Sequence, residues 1–299
     1  MLCSRFPEAL LLTALICFCG AALPADIPAN ATKANEGKVP RPDHVVIVIE
    51  ENKSYAQIIA RSLVANTAAP YINLLANQGA LFTNSYAIAH PSQPNYLALF
   101  SGSTHGVTND RCPLSLDGEN LASALRKHGF SFAIYSESLP SVGFEGCSHD
   151  RYARKHNPVV NWRNLPPQLN LPFDSFPSDF NKLPDVSIVV PNQLNDMHDG
   201  RGADEAIARG DKWLKEKINS YLQWAQSNNS LLIITWDEDD DSSGNRIATI
   251  FLGSMVRKGR YDYRINHYNV LRTISEMYGL PAIGDSADAA PIVEVWQKR

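Results

Sequence analysis

His44-Val-Val-Ile-Val-Ile-Glu-Glu-Asn52 is the stretch that decides the fold. From Val45 to Ile49 every residue is β-branched and apolar, with no polar position alternating between them. Such a run suits a strand covered on both faces, as in a parallel sheet flanked by helices. Working outward, extended apolar segments recur at Ala80–Ala89, Phe130–Tyr135, Val186–Val190, Leu231–Trp236 and Ile247–Leu252. Helical patterns lie between them: 55–78 with a break near Pro70, a turn at Pro91 leading into a helix to Ser101, 121–128 closed by Gly129, 204–227, and 268–278 closed by Gly279 and Pro281. Strands alternating with helices predict an α/β domain with a largely parallel sheet. Residues 137–184, rich in Pro, Asn and Ser without a long period, read as a loop or cap insertion.

The ends of the chain read differently. Residues 1–25 have the form of a secretory signal: Arg5, an apolar run from Leu10 to Ala22, and small residues around Ala22 and Ala25. That run is short for a permanent span; a retained anchor or a lipid on Cys19 is the alternative. Residues 26–42 read as a flexible leader, and 43–299 as one domain. Export implies the periplasm or the extracellular medium. It leaves Cys112 and Cys147, and two cysteines in an exported chain suggest one disulfide, with two buried free thiols as the alternative. The chain has 27 Lys and Arg against 31 Asp and Glu, a net charge of −4. It therefore has no overall field for nucleic acid or an anionic membrane, although a local basic pocket is compatible with that sum.

In open α/β sheets ligands gather where strands end. After Ile49 comes Glu50-Glu51-Asn52; after the second strand, His90-Pro91-Ser92-Gln93-Pro94-Asn95; after Val190, a segment holding Asp196, His198 and Asp199; after Trp236, Asp237 to Asp241; and, at a distance from the Ile247 strand, Asn266-His267. Each has a plain reading. The first acidic pair can cap a helix, the Asp run can be a solvated loop, the histidines can be structural, and Ser92 can be an N-cap. Together they suggest more. Two acidic clusters with amides and imidazoles make a hard-to-borderline metal site. A serine at a helix N-terminus lies where backbone N–H groups can hold phosphate. A cation lowers the pKa of such a serine, and imidazoles can contact phosphate or protonate a leaving group. Of the acidic run, Asp237 and Glu238 are expected as ligands and the last three as solvent-exposed.

At these residues the chain resembles the bacterial phosphoesterase family that unites acid phosphatases with phosphatidylcholine-type phospholipases C. The matching stretches are His44–Asn52, His90–Gly102, Val190–Gly200, Leu231–Asp240 and His267–Leu271. The size, the two cysteines and Tyr152-Ala-Arg-Lys-His156 are similar to a branch of short secreted mycobacterial acid phosphatases that act on phosphatidylinositol 3-phosphate among other monoesters. The resemblance implies an alkaline-phosphatase-like three-layer sandwich. It implies Glu51, Asn52, Asp237 and Glu238 as ligands of one or two divalent metal ions, with Asp196 as a further ligand. It implies Ser92 as nucleophile, Asn95 as a phosphate-oxygen donor, His198 as phosphate contact or general acid, and His90 and His267 as weaker substrate contacts. Arg151, Arg154, Lys155 and His156 are the basic residues available to an anionic headgroup, or else an exposed basic loop.

The expectation is a secreted, metal-dependent phosphomonoesterase working through phosphoserine, with a phosphoinositide headgroup among its substrates. A phospholipase C or other phosphodiesterase is the alternative within enzymes. A catalytically silent phosphate- or metal-binding module is the alternative of another class.

Overall fold

The computed structural model describes residues 39–59 and 68–298. The Val45–Ile49 run lies within β1 (His44–Glu50), where every residue after His44 is buried. Fully burying each Val or Ile stabilises the fold by about 1.5–3 kcal/mol, so this strand belongs at the centre of the molecule. The remaining strands are β2 (Ala80–Tyr86), β3 (Phe132–Ser136), β4 (Ser148–His149), β5 (Tyr152–Ala153), β6 (Asn170–Pro172), β7 (Val186–Val190), β8 (Ser230–Trp236), β9 (Arg246–Leu252), β10 (Gly259–Tyr261) and β11 (Ile265–Asn266). The helices are α1 (Tyr55–Ile58), α2 (Pro70–Gln78), α3 (Ser92–Ser101), α4 (Leu121–Lys127), α5 (Ala203–Lys217), α6 (Asn219–Ala225) and α7 (His267–Met277).

Nine strands form one sheet in the order β10-β2-β9-β8-β1-β7-β3-β6, with β11 paired to β2. β1 pairs in parallel with both β7 and β8, while β9 alone runs antiparallel to its neighbours β8 and β2. A core forms on each face. Val45, Ile47 and Ile49 pack with residues of α3, α4 and α7. Val46 and Val48 pack with residues of α1, α2, α5 and α6. The result is the expected three-layer α/β sandwich.

Several elements differ from the sequence reading. The 204–227 helix is two helices, broken at Ile218. Residues 137–184 are more ordered than a loop. They hold 3-10 turns, the β4–β5 hairpin, and β6, which adds a parallel edge strand beside β3. Their Pro and Asn content hides this, because each piece is too short to show a period. The signal segment and residues 26–38 lie outside the described residues. The described residues form one compact unit, and among them no helix is long and apolar enough to cross a membrane.

Candidate active site

Five strands deliver chemistry to one edge of the sheet: β1 to Glu51 and Asn52, β2 through its loop to Ser92, β7 to Asp196 and His198, β8 to Asp237 and Glu238, and β11 to His267. The Ile247 strand itself does not. Because β9 is reversed, its C-terminal end points away, and His267 arrives instead through β11, which runs parallel beside the end of β2. Strand alternation sorts the adjacent glutamates. Odd positions of β1 face the α3 side, and continuing that alternation sends Glu51 toward α3 and Glu50 to the opposite face. The turns after β1 and β7 carry left-handed residues. Asn52 at φ 50° directs its N–H to Asp237 Oδ1 at 3.1 Å, a conformation asparagine tolerates. Met197 at φ 79°, buried and bulky, sits between Asp196 and His198. Helix α5 makes room for that turn with Gly210, where a Cβ would lie 2.5 Å from the Met197 side chain.

Ser92 is the first residue of α3 and is buried. Its hydroxyl donates to Glu51 Oε2 at 3.0 Å and lies 3.2 Å from Glu238 Oε1. Asn95, one turn along, places Nδ2 3.3 Å from Glu238 Oε2, while its Oδ1 accepts from the backbone N–H groups of Ile88 and Ala89. Tyr96 occupies the next position on this face, and its phenol donates to Glu51 Oε1 at 2.5 Å.

Glu51, Asp196, Asp237 and Glu238 are all buried. Burial, then the charges of Asp237 and Asp196, raise the Glu51 pKa well above the usual carboxylate range. Burial and the Asp237 charge push Glu238 up to about 9. Burial likewise raises Asp237 and Asp196. Acidic groups packed this way oppose each other's ionisation unless a cation lies among them. Asn52 Oδ1 and Asp237 Oδ2 are buried without a hydrogen-bond partner. Orphaned oxygens beside carboxylates are the donor set a hard divalent cation takes, so the residues fit such an ion. Separately, Glu51, His156 and His198 bring one ligand atom each to within 4.8 Å of one another.

His156 and Tyr96 are the site residues sequence reasoning underrated. His156 is buried, stacks on the Tyr96 ring at 5.3 Å, and sets Nε2 3.3 Å from Glu51 Oε1 and Nδ1 3.4 Å from Asp196 Oδ2. Burial first, then the neighbouring Lys155 and His198, hold its pKa well below the ordinary imidazole range. One signal for Tyr96 was available: it stands four residues after Ser92, on the same helical face.

The other candidates divide. His198 pairs Nδ1 with Asp199 Oδ1 at 2.9 Å, and Lys155 Nζ lies 3.4 Å from its Nε2. His90, exposed, sets Nδ1 2.8 Å from Glu238 Oε2 at the outer rim. His267 is fully buried, with Nε2 2.7 Å from the Asp237 carbonyl, and burial lowers its pKa to about 4 despite that bond. It stands behind Asp237, holding the loop that follows β8. Arg154 leaves the headgroup set: its buried guanidinium bonds to the carbonyls of Leu114, Glu145 and Val160 and to Asn161 Oδ1. Arg151 is exposed and paired with Asp199. Asp239, expected in solvent, is buried and accepts from the N–H groups of Asp241, Ser243 and Asn245, shaping the turn that follows Glu238. Cys112 and Cys147 are joined in a disulfide, which ties the loop after α3 to the insertion.

Residues 62–281 match the phosphoesterase family. The chain is 50% identical over 256 residues to the phosphatidylinositol-3-phosphatase of Mycobacterium tuberculosis, covering 85% of this chain and 82% of that one. It is 34% identical over 246 residues to an acid phosphatase of Aspergillus fumigatus, covering 74% of this chain and 53% of the fungal protein. Among solved structures, a protein of the alkaline phosphatase superfamily from Vibrio parahaemolyticus aligns with a TM-score of 0.58 at 13% identity, over 86% of this chain and 72% of that one. That likeness shows the fold.

Proposed function

The chain belongs to the phosphoesterase family, and from that premise we propose that it is a metal-dependent phosphomonoesterase, with phosphatidylinositol 3-phosphate among its substrates and Ser92 as nucleophile. One observation carries the reading: the Ser92 hydroxyl, at the N-terminus of α3, sits between Glu51 and Glu238. Its proton has carboxylates to go to, and α3 offers positive N-terminal dipole to a phosphate placed above it. Glu51, Asn52, Asp237 and Glu238 would hold the cation, and Asp196 stands next to them. Bound there, a divalent ion supplies a lowered pKa for the serine and charge for a phosphate oxygen. Tyr96 holds Glu51 by its hydrogen bond with His156 packed beside it, and His267 holds the backbone of Asp237. Attack of Ser92 Oγ on phosphorus breaks the ester P–O bond and leaves phosphoserine, while the departing alcohol takes up a proton. Water then releases inorganic phosphate and restores the hydroxyl. Asn95 and His198 would be the contacts for the phosphate oxygens. A secreted or periplasmic location rests on the reading of residues 1–25.

The test is phosphate release from p-nitrophenyl phosphate and from phosphatidylinositol 3-phosphate, with and without a chelator. Chelator-sensitive release is expected from both. A folded, metal-supplied chain that releases phosphate from neither would overturn the reading.

A further inference from the structure

Of the basic residues in the Arg151–His156 segment, Lys155 is the one whose charged head reaches into the cleft. Its neighbours explain why. Arg154 is locked into the insertion by its hydrogen bonds, and His156 is wedged between Tyr96, Glu51 and Asp196. The backbone between two fixed side chains has little freedom, so the Lys155 stem is aimed. Its Nζ donates to Asp110 Oδ2 at 2.9 Å and lies 3.4 Å from His198 Nε2. The other Asp110 oxygen accepts from the Gln93 N–H at 3.0 Å, the peptide directly after Ser92. Asp110 thus ties the ammonium to the nucleophile turn. The disulfide partner Cys112 stands two residues further on and fixes the same loop against the insertion.

The ammonium also lies against the Glu51–His156–His198 group, the trio whose ligand atoms lie close enough for a cation. With His198 Nδ1 donating to Asp199, Nε2 presents its lone pair to Lys155. A lysine head is a compact point charge suited to phosphate.

We propose that Lys155 is the cationic contact for the substrate's phosphate, that Asp110 is the positioning residue that delivers it, and that this ammonium serves where a second divalent ion would otherwise bind. The proposal rests on the phosphomonoesterase reading above.

The experiment titrates inorganic phosphate calorimetrically into the metal-loaded chain, with elemental analysis of each protein, for wild type, Lys155→Met, Lys155→Arg and Asp110→Asn. Loss of a charge-assisted contact predicts about 10- to 100-fold weaker phosphate binding in Lys155→Met, partial recovery in Lys155→Arg, and one divalent ion per chain throughout. Asp110→Asn, which keeps the Lys155 charge but loosens its aim, is expected to weaken phosphate binding by about 3- to 10-fold and to raise KM more than it lowers kcat. Phosphate affinity within twofold of wild type in Lys155→Met would overturn the contact, as would two divalent ions per wild-type chain for the cation role. If Lys155→Met fails to fold, unchanged phosphate affinity in Asp110→Asn overturns the proposal by itself. A wild-type chain that neither binds phosphate nor releases it from p-nitrophenyl phosphate overturns the function reading as well, which separates the two failures.

Discussion

Tyr96→Phe deletes one oxygen and leaves the ring that stacks on His156. That oxygen donates to Glu51 Oε1 at 2.5 Å, between two buried side chains where solvent cannot substitute. A hydrogen bond to a charged group contributes about 1.5–3 kcal/mol, so about 2 kcal/mol is a fair central value here. Two consequences follow from the same loss. Glu51 without its donor holds a proton more tightly, and the proton competes with a cation for the same oxygens. Removing an outer partner of a metal ligand typically costs about 10- to 100-fold in metal affinity, the same size as the hydrogen bond, since about 1.4 kcal/mol is tenfold. Stability should fall too: at about 2–4 °C per kcal/mol for a domain of this size, Tm drops by about 4–8 °C. Competition against a chromophoric chelator measures the affinity, and thermal unfolding with metal present measures the stability. A variant that binds metal within threefold of wild type and melts at the same temperature would refute the argument that Tyr96 holds Glu51 in its ligating state.

Ser92→Ala should lower phosphate release from p-nitrophenyl phosphate by about 10⁴-fold or more, with the circular dichroism spectrum unchanged; acid-quenched labelling should trap phosphoserine in wild type and none in the variant, and retained turnover would remove Ser92 as nucleophile. Glu51→Gln and Asp237→Asn should each lower metal content by elemental analysis, whereas Glu50→Gln, on the opposite face of the sheet, should leave it near wild type. Equal metal loss from Glu50→Gln and Glu51→Gln would sink the assignment of the two faces.

That pair of glutamates shows where the sequence was readable and where it was not. The run before them announces a buried strand, and a buried strand's end announces a site, so Glu50-Glu51-Asn52 stood out at once. The same reasoning marked Ser92 and Asp237-Glu238, because each follows a strand that ends at one edge. Periodicity also located the helices, and Pro70 marked where α2 begins; the break at Ile218 was missed because no Gly or Pro marks it. The direction of β9 was not written in its residues. An apolar run reads alike in either direction, so the route by which His267 reaches the site emerged only from the pairing of β11 with β2.

What local sequence could not carry was the choice among side chains brought together by long-range packing. Arg154, Lys155 and His156 are adjacent and all basic, yet one is anchored in the insertion, one reaches the cleft and one is buried beneath it. A short turn has no period to sort them, and the sorting is done by partners far along the chain: Leu114 for Arg154, Asp110 for Lys155, Glu51 for His156. The same logic separates Asp239 from Asp240 and Asp241. In the run of acids, the first two continue from β8 into the cleft, and the third satisfies the backbone N–H groups of a tight turn, because unpaired donors beside a buried strand end are costly. A charge run is therefore not one object. Its members take whichever role relieves the nearest unsatisfied group, and at this edge of the sheet those groups are orphaned peptide donors on one side and, on the other, carboxylates that call for a cation.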